Sequence, residues 1–235
     1  MSARVLISLL LGLATQSSAI AQEWDWEFTP YLWTAGIEGD VALGNLQGNI
    51  DVDFSDIADV LSGGALVHVE AHRGQHGFFG DLVYLKLEPD DISTVAGSAQ
   101  VEFETTAIEF GYVRNLADFG WEFGLRYWDF DLSINPSMAA EVARSQDWVD
   151  GFVGFRTEHT ISSNWSFQPR FNIGAGGSDI TWGLDLNFSG LLNSGNRLAI
   201  GGKMLSFDYD EQNVQGIPFA LDVLFMGLQI GYVFD

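Results

Sequence analysis

Residues 121–127 read WEFGLRY and alternate between two kinds of side chain. The odd-numbered residues are bulky and apolar, whereas the even-numbered residues are Glu122, Gly124 and Arg126. Successive side chains of a β-strand point to opposite faces, so this pattern predicts a strand with one apolar face and one face that carries charges. A strand of this kind needs an apolar environment on one side only.

The same alternation recurs along the chain, each time followed by a turn. It is clear in residues 24–29, 65–72, 149–156 and 182–188. Repeated alternating segments of about ten residues are typical of membrane β-barrels. The barrel must be closed because unpaired backbone groups cannot face hydrocarbon. We therefore predict an all-β, closed, antiparallel transmembrane β-barrel of about ten strands (range 8–12). The predicted strands are approximately residues 24–36, 64–73, 77–88, 98–114, 119–133, 147–159, 164–174, 180–192, 196–207 and 217–234.

The connections between these strands alternate between short and long. Since outer-membrane barrels have short periplasmic turns and longer extracellular loops, an even strand count places both termini at the periplasmic side. Residues 40–54 could form a hairpin of their own and raise the count to twelve. Aromatic residues cluster near the predicted periplasmic ends, as in a membrane-interface girdle. They are Trp24, Trp26, Phe78, Phe79, Tyr112, Phe119, Trp121, Trp165, Tyr232 and Phe234. The alternative is that they form the core of a soluble β-sandwich.

The N-terminus has the features of a secretory signal peptide. Arg4 precedes a short apolar run, and Ala19-Ile20-Ala21 is a small-x-small cleavage site. We predict a signal peptide at residues 1–21 and a barrel domain at 22–235, in the outer membrane of a Gram-negative bacterium. Cleavage leaves nine basic and 32 acidic residues, a net charge of −23. This charge disfavours nucleic acid as a partner. The chain has no cysteine, which excludes disulfide and thiol chemistry.

Four motifs, taken in order, resemble a poorly characterised family of bacterial outer-membrane β-barrel proteins, which are small porin-like or OmpA-like barrels. They are WEFTPYLW at 26–33, WVDGFVGFR at 148–156, GAGGSDITW at 174–182 and GGKML at 201–205, where Lys203 stands in place of an expected arginine. The last strand ends in Tyr232 and Phe234 and resembles the C-terminal signal that the barrel-assembly machinery recognises. The resemblance implies a barrel and implies little about activity.

Charged residues within the predicted strands are the candidate lumen-lining residues. A charge that faces lipid costs about 2–4 kcal/mol at the midplane, so these groups are expected to point inward. They are Glu70, Glu109, Glu122, Arg126, Asp150, Arg156, Glu158, Arg170 and Asp185. They either fill a small barrel with ion pairs or form a charged constriction that selects solutes. Eight-stranded barrels are just filled by side chains, whereas 16 strands or more leave an aqueous channel.

The sequence predicts no catalytic, metal or cofactor site. His68, Glu70 and His72 share one strand face, but the two histidines are about 13 Å apart along an extended strand, too far for one ion. Residues 51–62 lack the glycine and the final glutamate of a calcium-binding loop. We find no set of nucleophile, base and orienting group near one loop end, so we do not expect an enzyme.

Two functions remain open at this stage. The first is a narrow, cation-preferring pore for small solutes. The second is a closed structural or binding barrel whose acidic extracellular loops contact lipopolysaccharide or an external ligand. Outer-membrane lipid is the expected surrounding in both cases, and the sequence does not predict an oligomeric state. Filling of the lumen discriminates between them, because a meeting of Trp128, Phe152 and Arg126 on the barrel axis would favour closure.

Overall fold

The computed structural model describes residues 23–43, 46–88, 92–94, 97–116, 119–136, 142–214 and 217–234. Within these ranges the chain forms thirteen strands and one short helix. They are β1 (Asp25–Leu43), β2 (Leu46–Val52), α1 (Phe54–Val60), β3 (Leu61–Arg73), β4 (His76–Leu87), β5 (Ile92–Thr94), β6 (Gly97–Leu116), β7 (Phe119–Pro136), β8 (Val142–Thr157), β9 (His159–Ser162), β10 (Trp165–Gly176), β11 (Ile180–Leu191), β12 (Arg197–Val214) and β13 (Ile217–Val233). Within these ranges, no helix is long and apolar enough to cross a membrane.

Ten of the strands form a closed antiparallel ring. Its order is β1, β3, β4, β6, β7, β8, β10, β11, β12 and β13, and β13 pairs with β1 to close it. β2 and β5 lie outside the ring, and β9 prolongs β8 after a break at Glu158. The predicted fold class and strand count are therefore confirmed. The predicted signal peptide lies outside the described residues and stays a prediction.

Several strands are longer than the sequence pattern indicates. β1 continues to Leu43 because it pairs with β13 up to Phe219, and β7 pairs with β6 over its whole length. The hairpin predicted within residues 40–54 exists, since residues 37–43 of β1 pair with β2. Only its second strand, β2, lies outside the ring, so the hairpin does not raise the strand count to twelve.

The contact between β1 and β3 is short. It covers six residue pairs, from Asp25↔His72 to Pro30↔Val67, whereas β6 and β7 pair from Ala99 to Leu116. From Ile37 to Leu43, β1 pairs with β2 in place of β3, and α1 follows β2 in the chain. We call this part of the wall the β1–β3 seam.

The outer face of the ring is apolar at mid-height. Leu32, Phe110, Val153 and Leu228 are each at least 60% exposed, although they lie in the middle of strands. Trp26, Trp121 and Trp165 are exposed near the end that carries the short turns, as predicted for girdle residues. Phe79 was assigned to the same girdle, and this is wrong. It is 1% exposed because its side chain points into the lumen.

Candidate functional site

An aromatic cluster fills the lumen towards the end that carries the longer connections. We call it the aromatic plug, and its members are Trp33, Trp128, Phe130, Trp148, Phe207, Tyr209 and Phe225. Trp128 lies at its centre, 2% exposed, with its ring centroid 4.8 Å from that of Phe207 and 6.2 Å from that of Phe225. β7 and β13 are five strands apart in the ring of ten, so Trp128 and Phe225 reach each other from opposite walls. The plug therefore crosses the full width of the lumen.

A layer of charged side chains lies beside the plug. Arg126 is fully buried and donates hydrogen bonds from Nε to Glu109 (2.8 Å), from Nη1 to Thr181 (2.6 Å) and from Nη2 to Asn172 (2.7 Å). Thr181 belongs to β11, three strands from β7 around the ring. A buried guanidinium is stabilised when each of its nitrogen atoms donates a hydrogen bond in this way.

Two further arginines extend this layer. Arg170 donates to Glu122 (2.8 Å) and to Glu109 (2.9 Å), and Arg156 donates to Glu122 (3.2 Å) and to Glu70. The pair of Arg156 and Glu70 joins β8 to β3, four strands away. The pairs of Arg170 with Glu109 and of Arg156 with Glu70 hold distant strands together across the lumen, whereas Arg156 and Glu122 lie on neighbouring strands.

Small residues make room for this layer. A Cβ atom at Gly111 would lie 2.4 Å from the Phe79 ring, and one at Gly124 would lie 2.7 Å from the Phe152 ring. The rings in turn support the guanidinium groups, with Arg170 4.8 Å from the Phe79 centroid and Arg126 5.3 Å from that of Phe152. Cation–π contacts of this kind are favourable within about 6 Å.

A carboxylate on β3 has three cationic or potentially cationic neighbours. Glu70 contacts Arg156, His72 Nε2 (2.7 Å) and His68 Nε2 (3.2 Å). The other ring nitrogen of His68 lies 3.1 Å from Asp81. The two histidines were judged too far apart to share a metal, and both instead lean towards Glu70. Among the described residues, no group of three or more acidic or histidine side chains is placed to hold a metal ion.

The structure places most of the predicted lumen residues on inward faces. Glu70, Glu109, Glu122, Arg126, Asp150 and Asp185 are buried, and Arg156 and Arg170 are half-buried. Asp150 accepts hydrogen bonds from Trp148 Nε1 (3.1 Å) and from the backbone of Ser178 (2.8 Å), so it anchors the connection between β10 and β11. Glu158 differs, because it lies in the break between β8 and β9, is exposed, and bonds to Gln168 (3.1 Å) at the mouth of the lumen.

Other lumen residues were missed by the sequence reasoning. Asp81 is buried and accepts a hydrogen bond from Tyr31 (2.8 Å), and Lys203 is buried beside Asp185 (3.4 Å). Asp81 shares the inward face of β4 with Phe79, two residues before it, and the assignment of Phe79 to the girdle hid this face. The sequence does not indicate the face of a neutral polar residue such as Asn172, because an amide can occupy either face of a strand.

An open cavity lies below the charged layer, at the end where the short turns and the described chain ends lie. Its volume is about 490 Å³, and its wall includes Glu27, His72, Arg156, Asn187 and Lys203. We call this cavity the vestibule. The plug and the charged layer separate it from the opposite end of the barrel.

Comparisons with known proteins bear on the fold. No family model matches the chain, and no curated protein matches it in sequence. Among solved structures, the outer-membrane protease OmpT from Escherichia coli is 6% identical, with a TM-score of 0.51 over 93% of this chain and 99% of that one.

The chain has the fold of a bacterial outer-membrane β-barrel.

Two other structures of this class match with lower scores. The attachment invasion locus protein Ail of Yersinia pestis is 7% identical, with a TM-score of 0.39 over 87% of this chain and 97% of that one. The translocator domain of the autotransporter NalP from Neisseria meningitidis is 11% identical, with a TM-score of 0.45 over 97% and 93%. At these identities the likeness concerns the fold alone. Together with the apolar outer face, the fold supports an integral outer-membrane protein.

Proposed function

We propose that this protein is an integral outer-membrane barrel whose lumen is closed, and that it acts as a structural or binding barrel rather than as a pore. The contact between Trp128 and Phe225 carries this proposal, because these side chains come from opposite walls. An open pore needs a continuous aqueous path. The aromatic plug and the ion pair between Arg156 and Glu70 leave little room for one.

The proposed orientation follows from the connections. The end with the short turns faces the periplasm, and the end with the longer connections faces the exterior. Outward-facing acidic residues such as Asp129, Asp131 and Asp147 lie above the apolar band at the exterior end. We propose that this end contacts lipopolysaccharide or an external ligand, as expected from the acidic loops, parts of which lie outside the described residues. The C-terminal strand, β13, would present the assembly signal.

The histidines of the lumen fit this proposal better than they fit an enzyme. Nucleophilic catalysis needs a base bonded to a hydroxyl or a thiol. The ring nitrogens of His68 face two carboxylates, Asp81 and Glu70, in the described part of the chain. Both carboxylates have further partners in the lumen. This arrangement supports a structural role for His68.

Conductance in a planar bilayer tests the closed lumen. The refolded wild-type protein should give a silent bilayer. The double variant Trp128→Ala/Phe225→Ala, which removes both central rings of the plug, should give discrete steps. The matched control Phe123→Ala/Leu228→Ala truncates two outward side chains and should stay silent.

Folding of each variant is checked by the shift between boiled and unboiled samples on a detergent gel. Discrete steps from the wild type, with a cation-biased reversal potential, would overturn the closed barrel and support the cation-preferring pore. If the control Phe123→Ala/Leu228→Ala also gave conductance steps, the steps would come from damage to the barrel wall and not from removal of the plug.

A further inference from the structure

We propose that the vestibule binds a neutral, hydroxyl-rich solute, namely a saccharide that enters from the side of the short turns. This inference rests on the proposed closed barrel, since the plug makes the vestibule a dead end. Its volume of about 490 Å³ falls within the usual size of small-molecule sites. Its wall is rich in polar side chains, whereas most ligand pockets are lined mainly by apolar ones. The polar groups therefore decide what can bind.

The ion pairs of Asp185, which borders the vestibule, are looser than those of the charged layer. Asp185 lies 3.4 Å from Lys203, 3.4 Å from Arg170 and 3.3 Å from Gln229. Arg126 and Glu109, one layer deeper, are 2.7 Å apart. A distance of 3.4 Å is near the limit for a hydrogen bond. Asp185 therefore keeps acceptor capacity, although it is buried.

Lys203 keeps unused donors. An ammonium group has three N–H donors, and in the described residues its one hydrogen bond is the 3.4 Å contact with Asp185. The Lys203 side chain is 7% exposed and borders the vestibule. Leaving donors of a buried charge unfilled costs free energy. A partner that enters the vestibule would recover part of this cost.

A hydroxyl group is the partner that this pair selects. Lys203 can only donate hydrogen bonds and ionised Asp185 can only accept them, whereas a hydroxyl does both. It can accept from Lys203 and donate to Asp185 at the same time. An anionic solute would be repelled by Asp185, and a cationic solute by Lys203 and Arg170. The neighbouring charges of both signs thus favour a neutral solute.

Further polar groups continue along the same strand. Asp185, Asn187 and Ser189 follow one another at every second position of β11 and all line the vestibule. Ser189 is 4% exposed, and its Oγ atom has no hydrogen-bond partner. The three side chains extend over about 13 Å, from four residues at about 3.3 Å each. This row can contact the hydroxyls of an elongated solute such as a disaccharide.

Isothermal titration calorimetry tests the proposal. The full barrel is held in lauryldimethylamine oxide, a detergent without a sugar head group, and titrated with maltose, citrate or spermidine. Maltose should bind saturably and more tightly than either charged probe. No heat with maltose, or tighter binding of citrate or spermidine, would overturn the proposal.

Variants locate the site. Asp185→Leu/Lys203→Met removes both charges together, so neither is left buried alone, and it should weaken maltose binding at least tenfold. The matched control Thr106→Val changes an outward hydroxyl and should bind like the wild type. Unchanged affinity of the double variant would overturn the proposal. If the double variant fails the gel-shift test for folding, Asn187→Leu replaces it, with the same expectation.

Conductance of the same preparation separates the two proposals. A silent barrel that does not bind maltose overturns the saccharide site alone. A conducting wild-type barrel overturns the closed lumen and the saccharide site that rests on it.

Discussion

Glu70 is the carboxylate on β3 that contacts three basic side chains. Its carboxylate contacts Arg156 across the lumen and His68 and His72 on its own strand. Breaking a buried ion pair by removing one partner costs about 3–5 kcal/mol, because the other charge stays buried. We expect Glu70→Gln to lower the free energy of unfolding by about that amount. Urea unfolding in lipid vesicles, followed by the gel shift, measures it.

The matched control for this prediction is Glu27→Gln. Glu27 lies directly opposite Glu70 in the sheet, but its ion pair with Arg197 (2.6 Å) is half-exposed. Exposed pairs contribute about 0–1 kcal/mol, so this change should be small. Equal losses for the two variants would mean that the ion pairs of Glu70 add nothing beyond those of a surface pair.

The sequence predicts the face of a charged residue better than it predicts the partner. Alternation within one strand places Glu70, Arg126 and Arg156 inward without any knowledge of the fold. The pairing of Arg156 with Glu70 joins residues 86 positions apart. It depends on the strand order and register around the whole ring, which alternation does not encode. Glu158 borders the vestibule as an exposed residue at its mouth, since the break between β8 and β9 interrupts the strand there.

At the scale of the strand, some positions next to the aromatic rings of the lumen have room only for glycine. A Cβ atom at Gly111 would lie 2.4 Å from the Phe79 ring. Overpacking of this kind costs about 1–3 kcal/mol, so Gly111→Ala should lower the urea midpoint. Gly80 is the matched control, because a Cβ atom there would meet a first neighbour at 3.7 Å. Gly80→Ala should be neutral or slightly stabilising. A stable Gly111→Ala would show that the Phe79 ring moves aside at little cost.

The β1–β3 seam is the strand pairing that we expect to open first. β3 pairs with β1 only from Val67 to His72, whereas β4 is paired on both sides along most of its length. Backbone hydrogen bonds open at lower free energy where a strand is paired on one side only. In hydrogen exchange followed by mass spectrometry, residues 61–66 should exchange faster than residues 67–72, and residues 79–86 should be slowest. Equal protection of the two halves of β3 would contradict this.

The ends of the strands are not indicated by the alternation of apolar and polar residues. The predicted strands stop near residue 133 in β7 and near residue 207 in β12, within a few residues of the point where the outward positions become polar. The structure continues these strands to Pro136 and Val214. Above the apolar band, backbone pairing with the neighbouring strand stabilises a β-strand whatever its outward side chains are. Alternating hydrophobicity therefore reports the membrane-facing part of a strand, not its full length.

For the molecule as a whole, acidic residues face one another at the rim that carries the longer connections. Asp40, Asp222 and Asp208 lie opposite one another on β1, β13 and β12, above the apolar band. Like charges directly opposite in a sheet are destabilising. Partial burial raises the pKa of the Asp208 carboxyl, and the nearby Asp222 raises it further. Ionisation of Asp208 therefore lowers the stability of the folded state.

This cost gives the barrel a pH dependence of definite sign. Because the pKa of Asp208 is higher in the folded state than its ordinary 3.8, folding favours the protonated form. The stabilisation is present at low pH and is lost as the pH rises through the folded pKa. Asp208→Asn should therefore raise the urea midpoint relative to the wild type at about pH 8, and the difference should shrink towards about pH 4.

Asp59→Asn removes the same charge from an exposed position on α1 and isolates the effect of the rim. It should shift the midpoint less than Asp208→Asn at about pH 8. If the two variants behave alike, the gain comes from lower net charge and not from the row of facing carboxylates. If Asp208→Asn alone gains, the rim stores repulsion that a cation or a cationic ligand at the outer surface would relieve. A rim of this kind would then couple the stability of the barrel to what surrounds its exterior end.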